Sequence, residues 1–215
     1  MKPYSLPKLD VRHLDALLLD DKGLLRVLPA ATLQAIQPEE LMVWAHNKGV
    51  YQFPTVELID WLSERIVGVK AIEIAAGHGA IGRALGIPAT DSYMQERPKV
   101  RAWYRSLGQP TITYPADVLR QDAEEAVNHH LPHTVLGAWI TQKYQQGGDT
   151  GSAFGVDEEW MLGRVARYIV VGNHKTHGDK RILAREHQEL SFPWLVSRSM
   201  WPEHNRIYVW EGDHD

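Results

Sequence analysis

The chain has 215 residues, a formal net charge of −4 and no cysteine. That length suits one α/β domain with a sizeable core, and the mild acidity gives no bulk steering toward nucleic acid or an anionic membrane. Without a thiol there is no disulfide, no thiolate zinc site and no cysteine nucleophile, which disfavours methylation at carbon 5 of a pyrimidine, a reaction that usually needs a covalent cysteine adduct.

Residues 1–50 read as a small helical cap. Asp10 to Asp20 is apolar-rich, Pro29 and Pro38 punctuate, and Pro38-Glu39-Glu40 suits a helix N-terminus that Gly49 can end. Residues 51–215 form the main domain. Thr55 caps a helix over Val56–Ile66, with Leu58, Ile59, Leu62 and Ile66 on one face. Strands and helices then alternate: a strand at Ala71–Ala75, a glycine turn, a brief helix at Ala80–Leu85 and a strand at Ile87–Asp91. Residues 93–117 contain three prolines with Trp103 and Tyr104, and give no regular pattern. Val118–Asp122 is a third short strand, Ala123–His130 a helix ended by Pro132, and Thr134–Thr141 a long buried strand. Gln145–Gly155 is glycine-rich and expected to be mobile. A helix at Asp157–Arg167, a strand at Tyr168–Gly172 and a helix at Arg181–Leu190 follow. Leu195–Ser199 and Arg206–Trp210 read as a terminal hairpin. Such alternation argues for a parallel sheet. Eight tryptophans belong in the core or a pocket wall. No signal peptide or long apolar run is seen, so a cytoplasmic location is expected.

The stretch that carries chemistry runs from Ala71 to Asp91, A-I-E-I-A-A-G-H-G-A-I-G-R-A-L-G-I-P-A-T-D. Strand, glycine turn, helix, and strand ending in an acid is how open α/β sheets hold the adenosine half of a cofactor. Gly77, Gly79 and Gly82 also spell G-x-G-x-x-G, which points to NAD or FAD. Two features point elsewhere. Glu73 stands inside the first strand, where a dinucleotide turn needs no acid. Gly77 and Asp91 are 14 residues apart, against roughly 20 in a dinucleotide fold.

Glu73-x-Ala75-x-Gly77-x-Gly79 resembles motif I of the class I S-adenosylmethionine (SAM) methyltransferases, E-x-G-x-G-x-G, with alanine at the first glycine. The resemblance covers about residues 51–215. It implies a Rossmann-like, mostly parallel seven-stranded sheet flanked by helices, with an antiparallel C-terminal hairpin, and SAM as cofactor. It also implies roles. The turn with Ala75, Gly77, His78 and Gly79 approaches the methionine part of SAM. Asp91, expected as a partly exposed strand-end acid, holds the ribose with Ser92. Asp122 and Ala123 meet the adenine, with Asp117 the competing acid. Trp139 stacks on adenine or on a flat acceptor, or packs in the core.

The acceptor end is read from strand ends. Thr141 and Gln142 follow the fourth strand, and Asn173, His174 and His177 follow the fifth. They are expected to ring one pocket, with Thr141 facing the methyl and His174 or His177 as base. Neither an N-P-P-Y or D-P-P-Y motif nor a strand-end acid for magnesium is present there. His129, His130 and His133 read as a solvated helix end rather than a zinc site, and no metal is expected. Tyr51–Thr55 is a candidate flap over the cofactor. The tryptophan-rich rim suits a small aromatic or heterocyclic acceptor or a protein side chain more than a long nucleic acid. Two other functions stay open: a SAM- or nucleotide-binding module without turnover, and an NAD-dependent oxidoreductase.

Overall fold

A computed structural model of the chain describes residues 7–144 and 151–212. Seven strands form one sheet: β1 Ala71–Ile74, β2 Ala89–Asp91, β3 Val118–Arg120, β4 Thr134–Ala138, β5 Arg167–Asn173, β6 Gln188–Leu190 and β7 Asn205–Glu211. Their spatial order is β3-β2-β1-β4-β5-β7-β6. The first five are parallel, and β7 runs antiparallel to both β5 and β6. This is the seven-stranded, mostly parallel α/β sheet that the resemblance implied.

Alternation along the strands decides what covers each face. Ile72, Ile74, Val135, Tyr168, Val170, Tyr208 and Trp210 join one apolar cluster. It is closed by residues of α7 (Ala123–His130) and α8 (Glu158–Leu162). Leu136, Ile169, Val171, Ile207 and Val209 point the other way. They meet α4 (Val56–Ile66) and α5 (Ala80–Leu85) through Leu58, Leu62 and Ile81. Glu73, between Ile72 and Ile74, therefore faces α5. Thr55 starts α4 as read, its hydroxyl accepting from the Leu58 N–H at 3.1 Å.

The N-terminal region supplies α1 (Asp15–Leu18), α2 (Ala30–Gln34) and α3 (Pro38–Lys48). They pack around a third cluster that includes Leu18, Leu33, Val43, Trp44 and Phe53. The Asp15 carboxylate ties α1 to α3 by accepting from the Trp44 indole at 2.7 Å and the Lys48 ammonium at 2.9 Å.

Several expected elements differ. Arg181–Leu190 is not a helix: one 3₁₀ turn, Arg181–Ala184, leads to edge strand β6, where Leu190 pairs with Ile207. Leu195–Ser199 does not pair with the last strand. Its buried residues instead meet the segment before α4, through Val196 O to Phe53 N and Tyr51 O to Arg198 N. Strand β4 stops at Ala138 because Trp139 adopts a positive φ of 56°, which breaks the pleat. The helix expected over Asp157–Arg167 ends at Leu162, and Arg167 already belongs to β5. Residues 93–117, unreadable by pattern, contain a 3₁₀ turn at Met94–Glu96 and helix α6, Pro98–Ser106. Only Tyr104 of α6 is buried, so no apolar stripe announced it. A last short helix, α9, spans His174–His177. Of the glycine-rich loop, residues 145–150 lie outside the described residues.

Candidate functional site

The sheet order reverses direction between β1 and β4, the place where open α/β sheets hold ligands beyond their strand ends. A cleft open to solvent lies there. Its walls come from the carboxyl ends of three strands: Ala75–His78 after β1, Asp91 and Ser92 after β2, and Ala138–Thr141 at the end of β4.

The glycine turn is held from below by Glu73. That side chain is 2 % exposed, and its Oε2 accepts from the Gly82 N–H at 2.7 Å, pinning the start of α5 to β1. Burial pushes the Glu73 carboxyl up to about 8, with the Gly82 hydrogen bond opposing. A Cβ on Gly82 would sit 2.9 Å from Glu73 Oε2 and from Ala89 Cβ, so the acid and the glycine require each other.

Asp91 is not the partly exposed acid expected. It is 7 % exposed, and its two oxygens accept from the Gly77 N–H at 3.0 Å and the Tyr93 N–H at 2.8 Å. Burial raises its pKa, while these N–H groups and the Tyr114 hydroxyl pull the other way. Asp91 thereby clamps the glycine turn from the neighbouring strand. Ala75, at the motif's first glycine position, takes a positive φ of 47°, a conformation costing roughly 1–2 kcal/mol for a residue with a side chain.

Gly77 and Gly79 divide the work. Gly77, φ 53°, faces the cleft, where an added Cβ would lie 3.1 Å from Ile112 Cδ1. Gly79, φ 61°, faces the sheet: a Cβ would fall 2.6 Å from Val118 Cγ2 and 3.4 Å from Ala89 Cβ. The sequence reading placed Gly79 against ligand, and the structure places it against β3. We therefore expect Gly79→Val to lower folding stability by about 2–4 kcal/mol, from overpacking plus the left-handed backbone. Gly77→Ala should cost less in stability and show mainly as weaker ligand binding. Urea melts paired with calorimetry separate the two, and equal melts would refute the division.

His78 also borders the cleft, its Nε2 2.9 Å from Lys48 O at the end of α3, and burial lowers its pKa. Trp139 forms the opposite wall. Its indole N–H donates to Gln52 Oε1 at 3.3 Å, and Tyr51 tilts against it at 5.9 Å. Tyr51 and Gln52, from the candidate flap, line the cleft with Gly49 and Val50.

Asp122 and Ala123 lie outside the cleft. Asp122 is exposed and forms a capping box at the start of α7, its Oδ1 2.9 Å from the Glu125 N–H. Asp117 pairs through both carboxylate oxygens with Arg83, at 2.6 and 2.8 Å. The cleft surface beside Asp91 comes instead from Met94, Gln95, Tyr104, Ile112 and Tyr114. Gln95 is buried, and its Oε1 accepts from the Ile112 N–H at 2.8 Å. These residues were missed because they stand in the stretch without periodicity; the only signal was isolated apolar and aromatic side chains among polar ones. Phe154 was missed because it stands in the glycine-rich loop, which carries no pattern that could mark a lining residue.

At the acceptor end only Thr141 of the expected ring lines the cleft. Gln142 is buried, accepting from the Arg181 N–H at 3.0 Å. Asn173 bonds Asn205 and the Trp201 carbonyl, each at 2.9 Å. His177 is 5 % exposed and stands edge-on to Trp139 at 5.2 Å. Its Nδ1 accepts from the Asn173 N–H at 3.0 Å, and burial pushes its pKa down to about 4. A base works best with a pKa near the ambient pH, so this imidazole supports the Trp139 wall rather than taking protons. His174 is exposed, 3.2 Å from the Tyr208 hydroxyl and 3.7 Å from Glu189. Among the described residues no three His, Asp or Glu side chains are grouped to hold a metal. His130 bonds Gln121 and His133 bonds Thr134, each at 3.0 Å, and His129 stacks edge-on with His130. No described helix is long and apolar enough to cross a membrane.

No protein-family model and no curated protein matches the chain. Among solved structures it is similar to an rRNA methylase of Streptococcus thermophilus, at 13 % identity and a TM-score of 0.41, covering 72 % of this chain and 93 % of that one. A protein of Thermoplasma acidophilum is similar at 12 % identity and a TM-score of 0.36, covering 86 % and 96 %. A SAM-dependent methyltransferase of Agrobacterium tumefaciens is similar at 11 % identity and a TM-score of 0.35, covering 73 % of this chain and 61 % of that one.

Proposed function

We propose that the protein is a SAM-dependent methyltransferase whose cofactor occupies the cleft at the ends of β1, β2 and β4. The observation that carries this reading is the buried Asp91–Gly77 contact. A carboxylate ending the second strand meets the glycine turn of the first, at the point where the sheet order reverses. The residues present fit the group. Gly77 keeps the turn bare where a Cβ would crowd Ile112 across the cleft. Asp91 would hold the ribose hydroxyls, and Ser92 stands beside it. Ala75, Gly77 and His78 would face the methionine part, with Gly79 and Glu73 bracing their turn. Met94, Gln95 and Ile112 offer the apolar slot and polar edge that an adenine needs. The face of Trp139 suits a sulfonium, as aromatic rings attract cations.

Bound SAM supplies a methyl that is already electrophilic. The chain's contribution is then to align the acceptor and exclude water. Trp139 fixes one wall, held by Gln52 and His177. Thr141 puts a hydroxyl at the cleft mouth. With His177 buried and His174 outside the cleft, alignment rather than a histidine base carries the reaction. The setting we infer is the cytoplasm, in keeping with a chain free of cysteine.

Calorimetry tests the reading. S-adenosylhomocysteine should bind and NAD should not, and binding of NAD alone would refute it. A methylated product from an acceptor separates the enzyme from a binding module without turnover. Asp91→Ala should weaken S-adenosylhomocysteine binding roughly ten- to a hundredfold, about 1.4–2.8 kcal/mol. Because Asp91 also holds the Gly77 and Tyr93 N–H groups, its loss should lower the Tm of the free protein as well, by roughly 4–8 °C for about 2 kcal/mol.

A further inference from the structure

Helix α6 and its N-cap carry Arg97, Lys99, Arg101 and Arg105, and no acid stands between Glu96 and Asp117. All four cations are exposed. Several arginines elsewhere face carboxylates, Arg83 with Asp117, Arg120 with Glu96, Arg167 with Glu211 and Arg206 with Glu189, while Arg26, Arg164 and Arg181 stand singly and donate to backbone carbonyls. Among the described residues the four on this segment have no carboxylate partner. The net charge of −4 therefore conceals a local excess of positive charge.

Spacing makes the excess a row. Arg97, Arg101 and Arg105 follow one another every four residues, about 6 Å apart along a helix axis. Lys99 and Trp103 form the neighbouring row. Trp103 is 58 % exposed, an unusual place for an indole that has no core to fill. The row starts at the cleft: the Arg97 guanidinium lies 4.8 Å from the centre of the Phe154 ring, and Phe154 and Tyr104 both line the cavity. A fifth cation, Arg198, lies 3.5 Å over the ring of Tyr51, also a cleft residue.

We propose that this face of α6 is the landing surface for a single-stranded nucleic acid, its phosphates running along Arg97, Lys99, Arg101 and Arg105 and a base stacking on Trp103. Unpaired cations beside an exposed aromatic are what a single strand needs, since phosphates and base faces lie within reach of each other. An acidic peptide would leave the indole without a flat partner. A membrane surface needs a continuous apolar face, and here cations flank the indole. The proposal deepens the methyl-transfer reading, on which it rests for the acceptor's role: the strand is presented where the row meets the cleft.

The test is fluorescence anisotropy with labelled 20-nucleotide RNA and DNA strands of mixed sequence, across a salt series, with S-adenosylhomocysteine calorimetry on the same samples. Wild type should bind, with log K falling against log salt at a slope of about −3 for four phosphate contacts. The triple variant Lys99→Gln, Arg101→Gln, Arg105→Gln should bind at least tenfold more weakly at low salt, with a slope shallower by about 2. Trp103→Ala should weaken binding at an unchanged slope. S-adenosylhomocysteine affinity should stay at the wild-type value in both, which also shows that they fold. The proposal is overturned if wild type binds neither strand, if the triple variant binds as well as wild type, or if only phosphatidylglycerol vesicles respond to the variants. Strand binding without S-adenosylhomocysteine binding would keep this surface and refute the methyl-transfer reading.

Discussion

Glu73→Gln should stabilise the protein, and the gain should grow with pH. Glu73 is buried against α5, and desolvation pushes its carboxyl up to about 8, from 4.5 in the open chain. Below the lower value both states hold the proton, and the acid carries no penalty. Between the two values the unfolded chain releases a proton that the folded chain keeps, so stability falls as pH rises. The slope is about 1.4 kcal/mol per pH unit, and the full loss, on the order of 5 kcal/mol, is reached once the folded carboxyl ionises. Glutamine is uncharged at every pH, and its carbonyl can still accept from the Gly82 N–H that Glu73 holds at 2.7 Å. Urea unfolding at pH 5, 6.5 and 8 should therefore show the two proteins alike at the lowest pH and increasingly apart above it. Parallel curves would mean that Glu73 is ionised in the folded state, and the bracing of the turn would then be a charged interaction.

Much of this corner was legible because each feature is local. An acid within an apolar strand, glycines at 77, 79 and 82 and an acid ending the next strand sit within a window of about twenty residues. The structure joins them by short contacts, Glu73 to Gly82 and Asp91 to Gly77. The buried strands β4 and β5 were equally plain as apolar runs. Legibility failed where a residue's setting is made by distant chain. Leu195–Ser199 has a strand's pattern, and only the position of Tyr51–Phe53 decides that it pairs there rather than with Arg206–Trp210. Helix α6 buries one side chain, so hydrophobic periodicity had nothing to report.

The site divides along the same line. Reading strand ends singled out Asp91, Trp139 and Thr141, which line the cleft. It also proposed Asp122, His174 and His177, which stand at strand ends without facing that space. Strand position gives the edge of the sheet and not the direction of a side chain. Asp122 is turned to the α7 N-terminus by Glu125, and His177 is turned inward by the Asn173 N–H. Charge showed the reverse failure: a net value of −4 averaged away the row of cations on α6.

Lys180→Met should be the most damaging single change outside the glycine turn. Lys180 is 6 % exposed; its ammonium donates to Glu158 Oε1 at 2.5 Å and to the Ile140 carbonyl at 3.1 Å. Tyr168 donates to the same Glu158 oxygen at 2.8 Å. Burial lowers the lysine's pKa and raises the glutamate's, with their mutual attraction opposing both shifts. Removing the lysine strands a carboxylate in the core, a change that typically costs 3–5 kcal/mol. The folded Glu158 then keeps its proton to higher pH than the unfolded chain, so the damage should deepen as pH rises above the ordinary carboxylate range. The double variant Lys180→Met, Glu158→Gln removes both charges and should recover most of the stability. It should not recover ligand binding. Ile140 lies between Trp139 and Thr141 in the cleft wall, and its carbonyl lacks the ammonium in both variants. The loss of that hydrogen bond, about 0.5–1.5 kcal/mol, should leave S-adenosylhomocysteine binding roughly two- to tenfold weaker in single and double variants alike. Full recovery of affinity in the double variant would show that Lys180 serves the core alone and does not hold the wall of the cleft.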